Sequence, residues 1–118
     1  MYNYKEANEI LTNKFPEMKK IYESDIEEYK NLFYYFYETE FVKYIIDKII
    51  KNDEQELMKI FDFIEDMFAN GDDEIVNLVG VAIVESLFFE KNFNELYITI
   101  KKYCGERTLK SFENCFQD

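Results

Sequence analysis

The amino-acid sequence predicts an all-α fold, a single-domain helical bundle of about six to eight helices over residues 1–118. Three observations lead there. The chain has only three Gly and one Pro, few for a protein that must turn often. Its apolar residues recur at three- and four-residue spacing over long stretches. And residues 75–89, IVNLVGVAIVESLFF, are apolar on nearly every side of a helical projection, which predicts a central helix wrapped by others. That run is interrupted by Asn77, Gly80, Glu85 and Ser86 and is shorter than the roughly 20 apolar residues of a membrane span. A chain of 118 residues can bury roughly two thirds of its unfolded surface, so it needs no staple to fold.

From Tyr4 to about Lys14, Ala7, Ile10 and Leu11 form an apolar stripe, followed by Phe15 and the one proline, Pro16. Proline suits the first turn of a helix, where its missing N–H has no partner to lose. Met18, Ile21 and Tyr22 define that second helix. Ser24-x-x-Glu27 has capping-box spacing, with Asp25 suited to the positive end of a dipole. The third helix then turns Ile26, Tyr29, Leu32, Phe33 and Phe36 inward, and Phe41, Tyr44, Ile45 and Ile49 continue an inner face. The pattern allows either a break near Thr39 or one long helix. Asn52 and Asp53 form the next cap, because Asp53-x-x-Glu56 repeats the capping-box pattern before Leu57, Ile60, Phe61, Ile64 and Phe68.

Asn70-Gly71 predicts a left-handed end to that helix, with Asp72 or Asp73 capping the central one. A link so short makes the two an antiparallel hairpin. Gly80 would cost about 1 kcal/mol in an exposed helix, so a close helix crossing is expected there. Phe93, Leu96, Tyr97 and Ile100 make a further helix stopped at Gly105, and Leu109, Phe112 and Phe116 a last one. Successive hairpins around the central helix suggest a HEAT-like stack of helix pairs.

Charge excludes several functions. The net charge is -11, which repels nucleic acid and anionic lipid and favours a basic partner. Direct nucleic-acid and membrane binding are therefore not expected. Lys5, Glu6 and Glu9 interrupt the opening residues, so no secretion signal is read and a cytoplasmic protein is expected. With no His and two cysteines outside any ligand pattern, Cys104 and Cys115 read as reduced, mostly buried thiols. Neither a metal nor another cofactor is called for.

The acidity is concentrated. Residues 53–74 carry nine acidic side chains and one basic one. Glu54, Asp62, Glu65 and Asp66 fall opposite the apolar stripe, and Asp72, Asp73 and Glu74 follow in the turn. Such a run is often no more than a solvated face with its caps. Its sharper reading is one anionic surface that docks a basic protein. Eight aromatic residues between Tyr29 and Tyr44 are more than one helix can turn inward, which leaves Tyr34, Tyr35 and Tyr37 as rim candidates for an interface. Glu85, deep in the apolar run, would need a partner such as Arg107, the single arginine.

No catalytic constellation is visible. A divalent metal held by Asp62, Glu65, Asp66, Asp72 and Glu85 would suit an all-α nucleotide hydrolase, but the ExxE and ExxD pair of that class is missing. The Ser and Cys residues have no His to activate them.

Four stretches carry a family likeness: Phe15-Pro16-Glu17; IFDFIEDMF from Ile60 to Phe68; GDDEIVNLVGVAIVESL from Gly71 to Leu87; and Tyr103-Cys104-Gly105-Glu106-Arg107-Thr108-Leu109. In these the chain resembles small all-α bacterial immunity proteins of polymorphic toxin systems, including contact-dependent growth inhibition. The resemblance implies a non-enzymatic cytoplasmic protein that binds and blocks a toxin and has no catalytic residues to carry over. Joined to the charge, it implies a cognate basic toxin domain, a nuclease with RNase-type favoured, met by a monomer whose contact residues are Glu54, Asp62, Glu65, Asp66, Asp72, Asp73, Glu74, Tyr34, Tyr35 and Tyr37. The alternatives are a helical-repeat adaptor or scaffold and a carboxylate-metal-dependent nucleotide hydrolase.

Overall fold

A computed structural model describes residues 1–117 of the chain. Eight helices follow one another among the described residues: α1 (Ala7–Lys14), α2 (Pro16–Ser24), α3 (Ile26–Tyr29), α4 (33–51), α5 (Glu54–Asn70), α6 (73–88), α7 (Phe93–Tyr103) and α8 (Glu106–Cys115). A radius of gyration of 13.4 Å is close to the roughly 13.5 Å of a compact domain of this length.

Local chemistry sets most boundaries. Phe15 is extended ahead of Pro16, as the residue before a proline must be, so α1 ends there and Pro16 opens α2. The Phe15 ring is buried and lies edge-on or tilted to Phe41 at 5.2 Å and Phe63 at 5.4 Å, with the Lys59 ammonium 4.9 Å above it. This aromatic knot joins α4 and α5 to the N-terminal hairpin. α3 is capped by Asp25, whose carboxylate accepts the Glu28 N–H. The expected Ser24 cap is not formed, because the Ser24 hydroxyl donates back to the Ile21 carbonyl at 2.6 Å. The expected long third helix also breaks, at residues 30–32, and leaves Ile26 and Leu32 exposed rather than inward.

The chain does not break near Thr39. α4 is continuous, with Tyr37–Phe41 in a π-helical turn. A π turn takes up one extra residue and so resets the phase of the helix. Phe36, Tyr37, Phe41, Val42 and Ile45 can then all be buried. Asn52 ends α4 in the left-handed region (φ 53°), and Asp53 caps α5 by accepting the Glu56 N–H. On α5, Leu57, Ile60, Phe61, Ile64 and Met67 are buried, each worth about 1.5–3 kcal/mol in burial.

The turn between α5 and α6 differs from expectation. Gly71 is extended (φ -88°), not left-handed, because the N-terminus straps across it. The Tyr2 N–H donates to the Asn70 carbonyl at 2.8 Å and the Asp72 N–H to the Tyr2 carbonyl at 2.9 Å. Glycine is needed here for closeness: a Cβ would lie 2.4 Å from Ile75 Cγ2 and 2.5 Å from the Met67 carbonyl oxygen.

α6 is the central helix, packed against α4, α5 and α8. Its middle, Val79–Glu85, is again π-helical. Ile75, Leu78, Val79, Ala82, Ile83, Val84 and Leu87 are buried, but the helix is not wrapped on every side. Val81 and Glu85 are exposed, so Glu85 needs no internal partner. Nothing lies within 4 Å of a Cβ built on Gly80, so no close crossing explains that glycine. Beyond α6, Phe88, Phe93, Tyr97, Phe112 and Phe116 form a second aromatic group, of which Phe116 is half exposed rather than inward.

Candidate docking surface

α5 presents Glu54, Met58, Asp62 and Asp66 four residues apart, all exposed. Such spacing puts them on one stripe roughly 18 Å long. Among the described residues, Glu54 and Asp62 meet no cation, and neither do Asp73 and Glu74 at the start of α6, both exposed. The helix therefore carries unneutralised charge from its first turn to the beginning of the next helix.

The other predicted acids have structural duties. Asp66 accepts the Tyr2 hydroxyl and the Asn70 side-chain N–H, both at 2.5 Å; the Tyr2 bond first, then Asn70, outweighs desolvation and holds its carboxyl below the usual range. Asp72 caps α6 by accepting the Ile75 N–H at 2.8 Å and also takes the Tyr4 N–H at 3.0 Å, which lowers its pKa in that order of cause. The hydroxyl and amide donors are neutral, and at Asp66 the Lys14 and N-terminal charges lower the pKa further, so both carboxylates stay ionised.

Glu65 departs from the expected solvent face. It is half-buried beneath the start of α8, where Oε1 accepts the Thr108 N–H and hydroxyl, each at 2.9 Å, and Oε2 accepts the Arg107 N–H at 3.2 Å. Arg107 Nη1 adds an ion pair at 3.4 Å. Burial pushes this carboxyl up, but the Thr108 and Arg107 donors outweigh it and hold the pKa low. Glu65 is thus a cap on a distant helix, and Arg107 serves it rather than Glu85.

The three tyrosines separate. Tyr37 is fully buried and donates to the Ala7 carbonyl at 2.5 Å, which corrects its placement on the rim. Tyr35 is 38% exposed but stacks on Tyr29 and donates to Glu28, in a different cluster that also includes Glu40 beside Tyr29. Only Tyr34 reaches the acidic turn. It is half-buried, lies 6.2 Å from the Tyr4 ring, and its hydroxyl accepts the Asn77 side-chain N–H at 2.5 Å. Tyr4 in turn shares a cleft of about 350 Å³ with Asn3, Asp72 and Glu74.

Sequence reasoning missed Tyr2, Tyr4 and Asn77, since local spacing holds no signal for an N-terminal strap. The carboxylates proposed for a metal go separate ways: Glu65 to α8, Asp66 to Tyr2 and Asp72 to its cap. No group of three or more His, Cys, Asp or Glu among the described residues is placed to hold a metal ion. Burial and the Glu65 charge raise the Cys104 thiol to about 12, which leaves it protonated and unreactive. No helix among the described residues is long and apolar enough to cross a membrane.

The surface is therefore a linear acidic stripe, interrupted by an exposed methionine and ending in a capped turn with a tyrosine behind it. No curated protein and no solved structure matches the chain. Residues 8–118 match the family described as a domain of unknown function, DUF7674, and the chain belongs to that family.

Proposed function

We propose that the chain is a cytoplasmic immunity protein that binds a cognate bacterial toxin domain, a basic nuclease with RNase-type favoured, and neutralises it without catalysis. The supporting observation is the set Glu54, Asp62, Asp73 and Glu74, exposed and without a cationic partner among the described residues, together with the ionised Asp66. A nuclease gathers Lys and Arg to hold phosphates, and an acidic stripe can occupy those groups in place of substrate. Clustered charge also raises the association rate and discriminates against acidic partners. Met58 in the stripe and Tyr34 at its end supply apolar area between the charges.

The test is co-expression with the product of the neighbouring gene, which the proposal requires to be a toxin domain. The wild-type chain should co-purify with it and protect the cell. Reversing Glu54, Asp62 and Asp73 together to Lys should abolish protection and slow association by roughly tenfold or more at low salt, with the helical circular-dichroism signal unchanged. Unchanged protection in that variant removes the stripe from the mechanism. Glu65 is left alone, since its loss would loosen α8.

A further inference from the structure

A cleft of about 330 Å³ lies where α1 meets the break between α3 and α4, a volume within the roughly 300–1,000 Å³ of small-molecule sites. Lys5, Asn8, Glu9, Tyr22, Lys30 and Phe33 line it, together with Thr12. Asn8 is 3% exposed, and its Nδ2 donates to the Tyr29 carbonyl at 2.9 Å. A carbonyl can only accept, so the nitrogen must face Tyr29, and Oδ1 is left buried without a donor among the described residues. Buried polar atoms are seldom left so, and each one calls for an explanation. Thr12 is in a related state. Its buried hydroxyl gives its proton to the Glu9 carbonyl at 3.2 Å, so toward any other group its oxygen can only accept. The Glu9 side chain is exposed and has no hydrogen bond or ion pair among the described residues. Asn8, Glu9 and Thr12 thus offer three acceptors within about one turn of α1.

We infer that this cleft binds a free α-amino acid with an aromatic side chain, its ammonium on the acceptors of α1, its carboxylate on Lys5 and its ring beside Tyr22 and Phe33. A primary ammonium carries three N–H donors and no acceptor, which matches Asn8 Oδ1, the Thr12 hydroxyl oxygen and the Glu9 carboxylate. The opposite charge is also present. Lys5 is exposed and has no ion pair among the described residues, whereas Lys30 is already held by Glu27 at 3.0 Å. Lys5 is therefore the cation left for a carboxylate, and one unpaired cation beside one unpaired anion selects a zwitterion. Tyr22 and Phe33 are half-buried and give the lining its aromatic part, where a ligand ring gains contact area and edge or offset packing. Oδ1 is closed to solvent without a ligand, so entry requires a movement of the lining, which the exposed and unbonded side chains of Lys5 and Glu9 can make. No residue of the α5 stripe takes part, so the inference does not depend on a basic protein partner.

The probes are L-phenylalanine, hydrocinnamate, which lacks its ammonium, and phenethylamine, which lacks its carboxylate. Titrated into the full isotope-labelled chain, L-phenylalanine should shift the backbone amides of 5–12 and 29–33 together with the Asn8 side-chain amide, with a Kd of about 1 mM or tighter. Hydrocinnamate and phenethylamine should each bind about tenfold or more weakly, since each leaves part of the lining without its partner. Two variants divide the charges. Lys5→Gln should weaken L-phenylalanine about threefold or more and narrow its advantage over phenethylamine, and Glu9→Gln should do the same relative to hydrocinnamate. Both side chains are exposed and unbonded, so the melting temperature should not move. Binding weaker than that Kd, equal binding of the three probes, unchanged binding to either variant, or shifts that leave the Asn8 side-chain amide in place overturns the inference.

Discussion

Glu65 and Thr108 are 43 residues apart in sequence, yet both the amide and the hydroxyl of Thr108 donate to one oxygen of the Glu65 carboxylate at 2.9 Å. With the Arg107 N–H on the other oxygen, a side chain of α5 satisfies two of the unpaired donors at the start of α8, a role normally filled by a residue at the helix's own N-cap. Here that N-cap is Gly105, which has no side chain to offer, and a Cβ on it would lie 2.5 Å from Glu65 Cδ. The glycine leaves room for the carboxylate that replaces it.

Glu65→Ala should therefore cost about 1–3 kcal/mol, the penalty for leaving such donors without a partner. Urea unfolding measures it. The pH dependence has a definite sign. The folded pKa of Glu65 lies below its usual value, so in the window between the two the unfolded chain binds more protons and stability rises with pH. Its contribution is complete above about 4.3, the unfolded value, and is lost as pH falls through the folded one. Glu65→Gln should flatten that acid limb. An unchanged slope would show that the carboxylate charge contributes nothing to α8.

Tyr37→Phe tests whether this ring is a core group or a contact. It removes the buried hydroxyl that donates to the Ala7 carbonyl and should cost about 1 kcal/mol, seen as a lower denaturation midpoint at constant slope. Binding of the proposed basic partner per folded molecule should stay the same, because the ring is not on the surface.

Two glycines should respond in opposite directions. Gly71→Ala puts a methyl against Ile75 and the Met67 carbonyl and should destabilise by about 1–3 kcal/mol. Gly80→Ala meets open space and should stabilise by about 0.4–1 kcal/mol. Differential scanning calorimetry of the pair gives both signs in one experiment.

Tyr2→Phe should release Asp66. The Tyr2 hydroxyl is the largest cause of the low Asp66 pKa, so the carboxyl should move up toward its usual value of about 3.9, which an NMR titration of its side-chain carbon reads directly. The partner effect is on Tyr2 itself, whose phenol is pushed up to about 12, first by its hydrogen bond to Asp66, then by burial and the Asp66 charge. The Tyr2 phenol should thus be among the late-titrating tyrosines in the ultraviolet absorbance of the wild type, alongside the buried Tyr37 and the Tyr44 phenol bonded to Glu56, and the late amplitude should fall by one tyrosine in the variant.

Where sequence reasoning succeeded, the controlling physics was local. Pro16 opening α2, Asp53 capping α5, Asp72 capping α6 and the buried stripe Leu57, Ile60, Phe61, Ile64 all follow from hydrogen bonds and spacing within a few residues. Where it failed, either two local alternatives competed or the deciding contact was distant. Ser24 and Asp25 competed for one cap within two residues, and the choice depended on the Ser24 hydroxyl finding the Ile21 carbonyl. Asp62 and Glu65 stand on similar sides of α5 in projection, and only the approach of α8 turns one into a cap and leaves the other in solvent. Tyr37 was placed outward by a regular 3.6-residue repeat, and the π turn at Tyr37–Phe41 carried it inward.

The chain's order of residues, taken alone, determined the helical class, the main caps and the concentration of negative charge between residues 53 and 74, because periodicity, backbone capping and composition act within one or two turns. Tertiary structure alone decided which carboxylates stay unpaired, where the two π turns fall, and that the side of α6 bearing Gly80 and Glu85 is left open. Those outcomes depend on how helices far apart in sequence meet, and side-chain partners separated by more than 40 residues, as Glu65 and Thr108 are, leave no periodic trace in either helix.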